Sequence, residues 1–366
     1  MEQAVTYLFL VSFIIQLLYY FLIYRNVLRR DEEHENTGLL PPLTVIISAK
    51  NEAENLRNFL PLILNQSYSE FELIVVNDAS TDGTKNILSE FQSSYNNLQV
   101  IEIKEEYSKG KKNALTKAVA AAKYEYLVFT DADCYPVSEN WLKTIARLYS
   151  ENIEIVLGYG AYKKQKGFLN KLIRFETLFN AMQYMSFAIS GFPYMGVGRN
   201  LSYKKSVWIK NGGFLKHKNI LSGDDDLFVN AAATKKNIKI LTDAGSKTVS
   251  IPKNKFKDYL KQKKRHLSTG NYYKQIYKLL LGTEVFSRFL FYVGVIILLC
   301  IQKLVLTVIL LYLMRIMIIF IFLKKFSDKI NDKQNLFFIS IFDILIPMLN
   351  LFVFTGTLFD KKIVWK

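Results

Sequence analysis

Cysteine is scarce in this chain. Cys134 and Cys300 are the only two among 366 residues. Cys300 lies in an apolar run, which argues against a disulfide framework and for a reducing, cytosolic setting. Acidic residues are also short, at 32 against 48 Lys and Arg, for a formal charge of +16. Three anionic partners fit that balance: nucleic acid, anionic lipid, or a phosphorylated small molecule. Half of the residues are hydrophobic and 14% are aromatic, which excludes wholesale disorder. From Ala4 to Tyr24 charge is missing altogether, over a length sufficient to cross a ~30 Å hydrocarbon core as a helix. A secretory signal peptide needs a basic segment before such a run. Here Met1-Glu2-Gln3 precedes it, and Arg25, Arg29 and Arg30 follow. Residues 1–30 therefore read as an uncleaved anchor with its C-terminal end in the cytoplasm.

A second apolar block occupies residues 284–366. Phe289 to Gln302 is uncharged, Lys303 interrupts, and Leu304 to Leu323 is apolar apart from Arg315. That pattern predicts a hairpin of two spans breaking near Gln302-Lys303, with Lys324 and Lys325 returned to the cytoplasm. The third run, Leu336 to Phe354, holds Asp343 and Pro347. It spans, re-enters, or lies in the interface, and the tail Asp360 to Lys366 goes with it. Arg315 and Asp343 are functional, form an interhelical ion pair, or snorkel. Residues 253–283 are basic. Within them Phe256 to Leu267 reads as an amphipathic helix, with Lys261, Lys263 and Lys264 facing anionic lipid headgroups.

The middle, residues 40–252, has a different rhythm. Thr44 to Ile47, Glu72 to Val76, Leu98 to Ile103 and Tyr126 to Phe129 are short apolar runs, separated by stretches with helical spacing. That is a βαβ series, hence an α/β fold with a mainly parallel sheet. Ligands of such sheets sit beyond the carboxyl ends of the strands, so the residues directly after each run matter most. After the second run comes Asn77 to Thr84, turn and capping chemistry in which Asp78 is placed to accept from a nucleobase N–H. After the fourth comes Asp131-Ala132-Asp133-Cys134. Its two carboxylates converge on a hard cation, Mg²⁺ or Mn²⁺, while the soft Cys134 thiol reads as packing. Ser108 to Leu115 places Lys109, Lys111 and Lys112 with Gly110 at a helix start, where phosphate is favoured. Asp224-Asp225-Asp226 repel one another unless a cation or a proton-transfer role compensates. The glycines of Gly191 to Asn200 read as a loop or as room for an acceptor.

In chain order these segments resemble family 2 glycosyltransferases, GT-A-fold enzymes that use nucleoside-diphosphate sugars. Val45 to Glu52 is similar to the opening strand of that family with its Asn-Glu pair, which implies nucleotide contacts at Ala49, Asn51 and Glu52. Val75 to Thr84 resembles the Asp-x-Ser-x-Asp-x-Thr stretch, with Asp78 on the base. Gly110-Lys111 and Ala114-Leu115 resemble the Gly-Lys-x-x-Ala-Leu helix start, and Asp131 and Asp133 the Asp-x-Asp metal site. Gln262 to His266 is similar to the Gln-x-x-Arg-Trp motif of membrane-embedded members, with His266 in place of Trp. This implies donor contacts at Lys111, Asp131, Gln262, Arg265 and His266. The Trp to His exchange, with so few spans, argues against a processive polysaccharide synthase.

The resemblance covers roughly residues 43 to 270. It implies a GT-A-type domain with transmembrane helices at both ends of the chain, multi-pass in the cell (inner) membrane with the catalytic domain cytoplasmic. It also implies inverting, metal-dependent transfer of one sugar to a glycan or lipid-linked acceptor. The base lies in the acidic triplet. Matching Gly223-Asp224-Asp225 to the family's acidic pair selects Asp225; sliding the register selects Asp224 or leaves Asp226. A membrane-anchored nucleotide-sugar binder without turnover would lack a carboxylate at the metal or base positions, and none is missing. Nucleic acid is not expected as a partner, because the strand ends are acidic rather than basic.

Overall fold

The computed structural model describes residues 2–29, 38–107, 110–220 and 222–359, with backbone alone over 357–359. Arg30, Ser108, Lys109 and the tail from Asp360 to Lys366 lie outside the described residues.

Helix α1 (Glu2–Leu18) continues through short π and 3-10 turns to Leu28. The middle of the chain then alternates strand and helix: β1 (Leu43–Ala49), α2 (Ala53–Leu64), β2 (Phe71–Asp78), α3 (Thr84–Ser94), β3 (Leu98–Ile103), α4 (Lys111–Ala121) and β4 (Tyr126–Phe129). These four strands pair in parallel in the order β3-β2-β1-β4, as the apolar runs predict. Successive residues of β1 and β2 enter opposite cores. Val45, Ile47, Leu73 and Val75 pack with α2 and α3, while Ile46, Ile74 and Val76 pack with α4. A strand buried on both faces has no polar side, which is why these runs are continuously apolar.

The chain continues through β5 (Cys134–Pro136), α5 (Trp141–Arg147), β6 (Ile155–Leu157), β7 (Gly160–Tyr162), α6 (Phe168–Ile189), β8 (Leu201–Lys204), α7 (Lys205–Lys210), α8 (Asp226–Ala232), β9 (Ile238–Ile240) and β10 (Thr248–Ser250). Strand β8 inserts antiparallel beside β4, and β6 and β9 complete a seven-stranded sheet. A smaller sheet has the order β5-β10-β7. Antiparallel insertion places function. Leu201, which opens β8, pairs with Phe129, which ends β4, so Gly198 to Asn200 share a sheet edge with Asp131. Leu157 pairs with Leu201, bringing Gly158 and Gly160 to the same edge.

Helix α9 (Phe256–Leu267) leads to α10 (Gln275–Cys300), α11 (Val305–Lys329) and α12 (Ile339–Phe359). Among the described residues, four helical segments are long and apolar enough to cross a membrane: Glu2–Leu28, Gln275–Cys300, Val305–Lys329 and Leu336–Gly356. The break between α10 and α11 falls at Ile301 to Leu304, where Gln302 and Leu304 have positive φ. Helix α10 begins at Gln275, before the apolar block, and Tyr277 on its first turn is buried against the rest of the fold. Lys303 pairs with Glu2 at 3.6 Å, and Lys329 donates to the carbonyls of Val27 and Arg29, at 3.0 and 2.7 Å. The ends of α1 and α11 next to the sheet domain therefore meet, and the α10–α11 turn lies beside the opposite end of α1. Arg315 and Asp343 form an interhelical ion pair, as one of the readings of these charges expects.

Candidate active site

One end of the crevice is built where β1 and β2 stop. Ala49 ends β1, buried and paired with Asn77. Asn51 and Ala79, just past the two strands, both adopt the left-handed conformation, at φ 57° and 54°. Asn tolerates this locally, and Ala does so at about 1 kcal/mol. The loops are stitched together there. The Asn51 N–H donates to Ser80 Oγ at 2.9 Å, the Thr81 N–H to Asn51 Oδ1 at 2.8 Å, and the Glu52 N–H to Thr84 Oγ1 at 3.0 Å. Ser80, Thr81, Asp82 and Thr84 thus serve the turn. Asp78 differs. It is 1% exposed, and neither carboxylate oxygen has a hydrogen-bond partner among the described residues. A buried carboxylate without a donor is costly, so this position wants an N–H from outside the described chain.

The acidic centre lies at the end of β4. Ligand atoms of Asp131, Asp133 and Cys134 fall within 4.8 Å of one another. Cys134 is buried, and its Sγ leans on Asp133 Oδ1 at 3.4 Å. Burial, then Asp131 and Glu52, push the Asp133 carboxyl above the usual range. Burial pushes Asp131 the same way, but Lys111 outweighs it, helped by Arg199 and Arg265, and holds that carboxyl low. Lys111, on the first turn of α4, has its Nζ 2.9 Å from Asp131 Oδ1 and 2.9 Å from Asp224 Oδ2. It therefore joins the Asp-x-Asp segment to the triplet.

The three triplet carboxylates go to three places. Asp224 is buried against Lys111. Asp225 is partly exposed and caps α8. Its Oδ1 accepts from the Asp226 N–H at 2.8 Å and its Oδ2 from the Gly198 N–H at 2.7 Å. A Cβ at Gly198 would sit 3.3 Å from that Oδ2 and 3.5 Å from Lys111 Nζ, so glycine lets the backbone donor come this close. Burial and Asp224 raise the Asp225 carboxyl against the opposing effect of Lys111. Asp226 is turned away from the crevice. It is buried, with Thr269 Oγ1 and Tyr273 OH donating to its Oδ2 and the Leu227 N–H to its Oδ1. The triplet is thus one carboxylate in the crevice, one bound to Lys111 and one structural. Lys112 does not face the crevice either: its Nζ clamps the carbonyls of His217 and Ile220 at 2.7 and 2.8 Å.

Helix α9 carries Gln262, Arg265 and His266 beside this centre. Gln262 Nε2 donates to Tyr162 OH at 3.2 Å, and Arg265 acts electrostatically on Asp131. His266 is exposed and contacts Arg265 at 3.5 Å. Lys263 departs from the headgroup-facing expectation. It is buried and paired with Glu176 of α6, which also accepts from Tyr259 OH at 2.5 Å. Helix α9 packs on α12 and is tied to α6 through Glu176, so Lys263 lies on an inner face; Lys261 stays exposed. Sequence reading gave no role to Arg199 or Tyr162, whose encounter depends on the antiparallel insertion of β8.

The chain matches the family model described as glycosyl transferase family 2 over residues 44–207, and that described as glycosyl transferase family group 2 over residues 126–355. The second match covers more than half of it, and the chain belongs to the family 2 glycosyltransferases. It is 33% identical over 125 residues to glycosyltransferase AglE of Haloferax volcanii, covering 33% of this chain and 40% of AglE. It is 30% identical over 127 residues to the poly-beta-1,6-N-acetyl-D-glucosamine synthase of Staphylococcus epidermidis, covering 34% of this chain and 29% of that one. The matches thus span less than half the length of either relative. The mannosyltransferase PcManGT from Pyrobaculum calidifontis, solved with GDP-Man and Mn²⁺, superposes with a TM-score of 0.63 over 99% of both chains at 18% identity. That likeness is one of fold, and the fold is GT-A with apolar helices at both ends.

Proposed function

We propose that this glycosyltransferase is a multi-pass inner-membrane enzyme. In this reading it moves a sugar from a nucleoside-diphosphate sugar to a hydroxyl of a lipid-linked or other membrane-proximal acceptor, with inversion. The observation that carries the reading is the meeting, at one sheet edge, of the Asp131–Asp133 pair with Asp224 and Asp225 through Lys111 Nζ, 2.9 Å from both Asp131 and Asp224. Asp78 is the acceptor for the nucleobase. Asp131 and Asp133 fit a hard divalent cation, since their ligand atoms lie within 4.8 Å of one another and burial, then Asp131, raises the Asp133 carboxyl. Mg²⁺ or Mn²⁺, when bound, neutralises charge on the diphosphate. Lys111 and Arg265 add positive charge as that group departs. Asp225, partly exposed and fixed at both oxygens, takes the proton of the attacking hydroxyl. Asp224 holds Lys111, and Asp226 fixes α8.

Acceptor access from the membrane is supported by α9, which carries Gln262 and Arg265 and packs directly on α12. The basic ends of α1 and α11 favour a cytoplasmic catalytic domain, and exposed Lys255, Lys257 and Lys261 provide for anionic lipid. Purified protein in detergent, screened with Mn²⁺ against a panel of nucleotide-sugars, tests the reading. Donor hydrolysis or thermal stabilisation that is lost in EDTA and in Asp131→Asn is expected. A panel without response in wild-type protein overturns it.

A further inference from the structure

Arg199 is the cation of the crevice that no motif accounts for. It follows Gly198, whose N–H is bound by Asp225, and it precedes β8. Its backbone is fixed twice, since Thr130 Oγ1 and Thr248 Oγ1 both donate to its carbonyl, at 3.0 and 2.8 Å. Its side chain is fixed twice more. The guanidinium lies over the Tyr162 ring, 4.2 Å from the centroid, and Nη1 donates to the Ala161 carbonyl at 3.3 Å. The Tyr162 hydroxyl in turn accepts from Gln262 of α9. Space has been cleared for this arrangement. A Cβ at Gly160 would lie 3.1 Å from Arg199 Cβ and 3.2 Å from its Nε, so a larger residue there would crowd the arginine.

Arg199 forms no ion pair among the described residues, although it acts electrostatically on both Asp131 and Asp133. Lys111 is shared with Asp131 and Asp224, whereas the guanidinium keeps more of its donors in hand. A stacked, pre-oriented guanidinium next to a pair of metal-type carboxylates matches the planar, bidentate recognition of phosphate oxygens.

We infer that Arg199 is a further substrate-binding residue of this enzyme: its guanidinium, held on Tyr162, binds the diphosphate of the nucleotide donor beside Asp131 and Asp133. Gln262 then acts through Tyr162 as a positioning residue. This inference rests on the site proposed above, and its test separates the two.

The probes are UDP and GDP, each with Mn²⁺, and farnesyl phosphate as a lipid-borne phosphate, titrated into full-length protein in detergent by calorimetry. The variants are Arg199→Gln, Arg199→Lys and Asp131→Asn. Arg199→Gln should weaken the bound nucleoside diphosphate by about tenfold to a hundredfold, the worth of charge-assisted hydrogen bonds. Uridine or guanosine should bind it as they bind wild-type protein. Arg199→Lys keeps the charge without the fork and should recover only part of the loss. A merely structural arginine predicts a drop in thermal midpoint with unchanged diphosphate affinity, and that result overturns the inference. So does a loss confined to farnesyl phosphate, which would assign Arg199 to the acceptor. If Asp131→Asn abolishes nucleotide binding and Arg199→Gln does not alter it, only this inference falls. If wild-type protein binds neither diphosphate, the proposed function falls and takes this inference with it.

Discussion

Lys111 Nζ donates to Asp131 Oδ1 at 2.9 Å, so the first carboxylate of the Asp-x-Asp segment already has a cation from the chain itself. Burial disfavours the ammonium, but Asp131, Asp224 and Asp225 outweigh it and keep Lys111 charged well beyond neutral pH. Lys111→Met removes that cation and leaves two carboxylates unpaired. Stability should fall by on the order of 1–3 kcal/mol, and transfer should slow by about 10²-fold or more through lost stabilisation of the leaving group. Thermal unfolding and donor turnover measure the two effects. Loss of stability without loss of turnover would make Lys111 purely structural.

The proton acceptor is tested at Asp225. Asn at this position keeps the shape and loses the basicity, so turnover should drop by about 10²–10⁴ while donor affinity stays near that of wild type. The raised Asp225 carboxyl gives a pH signature. A base must be ionised, so activity is lost as pH falls through a value above the ordinary Asp range. The acidic limb of the rate profile should flatten in Asp225→Asn. Normal turnover in that variant, with a collapse in Asp224→Asn, would shift the role by one residue.

How much of this was legible in the sequence depends on the range of each interaction. Strands β1 to β4 announce themselves because a strand buried on both faces leaves an unbroken apolar run such as Leu73 to Val76. The Asp131–Asp133 pair follows from such runs, because strand ends are where parallel sheets offer their ligand sites, and Lys111 follows from the Gly110-Lys111 helix start. The strands β6, β7, β9 and β10 were not legible. Each has three residues, too few for a period to show. The fates of the three triplet carboxylates were also hidden. Asp226 is identical in chemistry to Asp225, and only Thr269 and Tyr273, from the segment after α9, turn it inward. Lys263 reads as one more basic residue until Glu176, a contact far away in sequence, buries it. Arg199 needed both the antiparallel β8 and the turn into β7 to meet Tyr162.

Asp226 carries a stability prediction of its own. Burial and Asp225, opposed by the donors Thr269 and Tyr273, raise its carboxyl to about 7. The folded state therefore binds a proton that the unfolded chain, near an ordinary pKa of about 3.9, has released. Its contribution is fully present below the unfolded value and is lost as pH rises through about 7. Thermal midpoints in detergent should decline across that window in wild-type protein and decline less in Asp226→Asn. Turnover of Asp226→Asn, measured at fixed temperature below its midpoint, should stay within a fewfold of wild type. Parallel stability profiles for the two proteins would remove Asp226 as the titrating group.

The last prediction concerns charges among the apolar helices. Arg315 of α11 donates through Nη1 to Asp343 of α12 and to Tyr292 of α10 at 2.9 Å, and through Nη2 to Gln16 of α1 at 3.1 Å. Arg288 lies 3.5 Å from the other Asp343 oxygen and also pairs with Glu284. Two acids and two arginines thus balance, and each of the four apolar helices contributes a side chain. All of these groups are buried, and a charge there is tolerable only while it is matched. Removing one partner should be worse than removing an opposite pair. Arg315→Leu leaves Asp343 short of a cation and should cost on the order of 3–5 kcal/mol. Arg315→Leu combined with Asp343→Leu restores the balance and leaves Arg288 with Glu284, so it should recover most of that loss. Thermal unfolding in detergent of the two single variants and the double variant gives the coupling directly. Additive losses would show that the network does not hold the four helices together. A recovery in the double variant would show that charge matching, rather than either residue alone, lets Asp343 sit within an apolar helix.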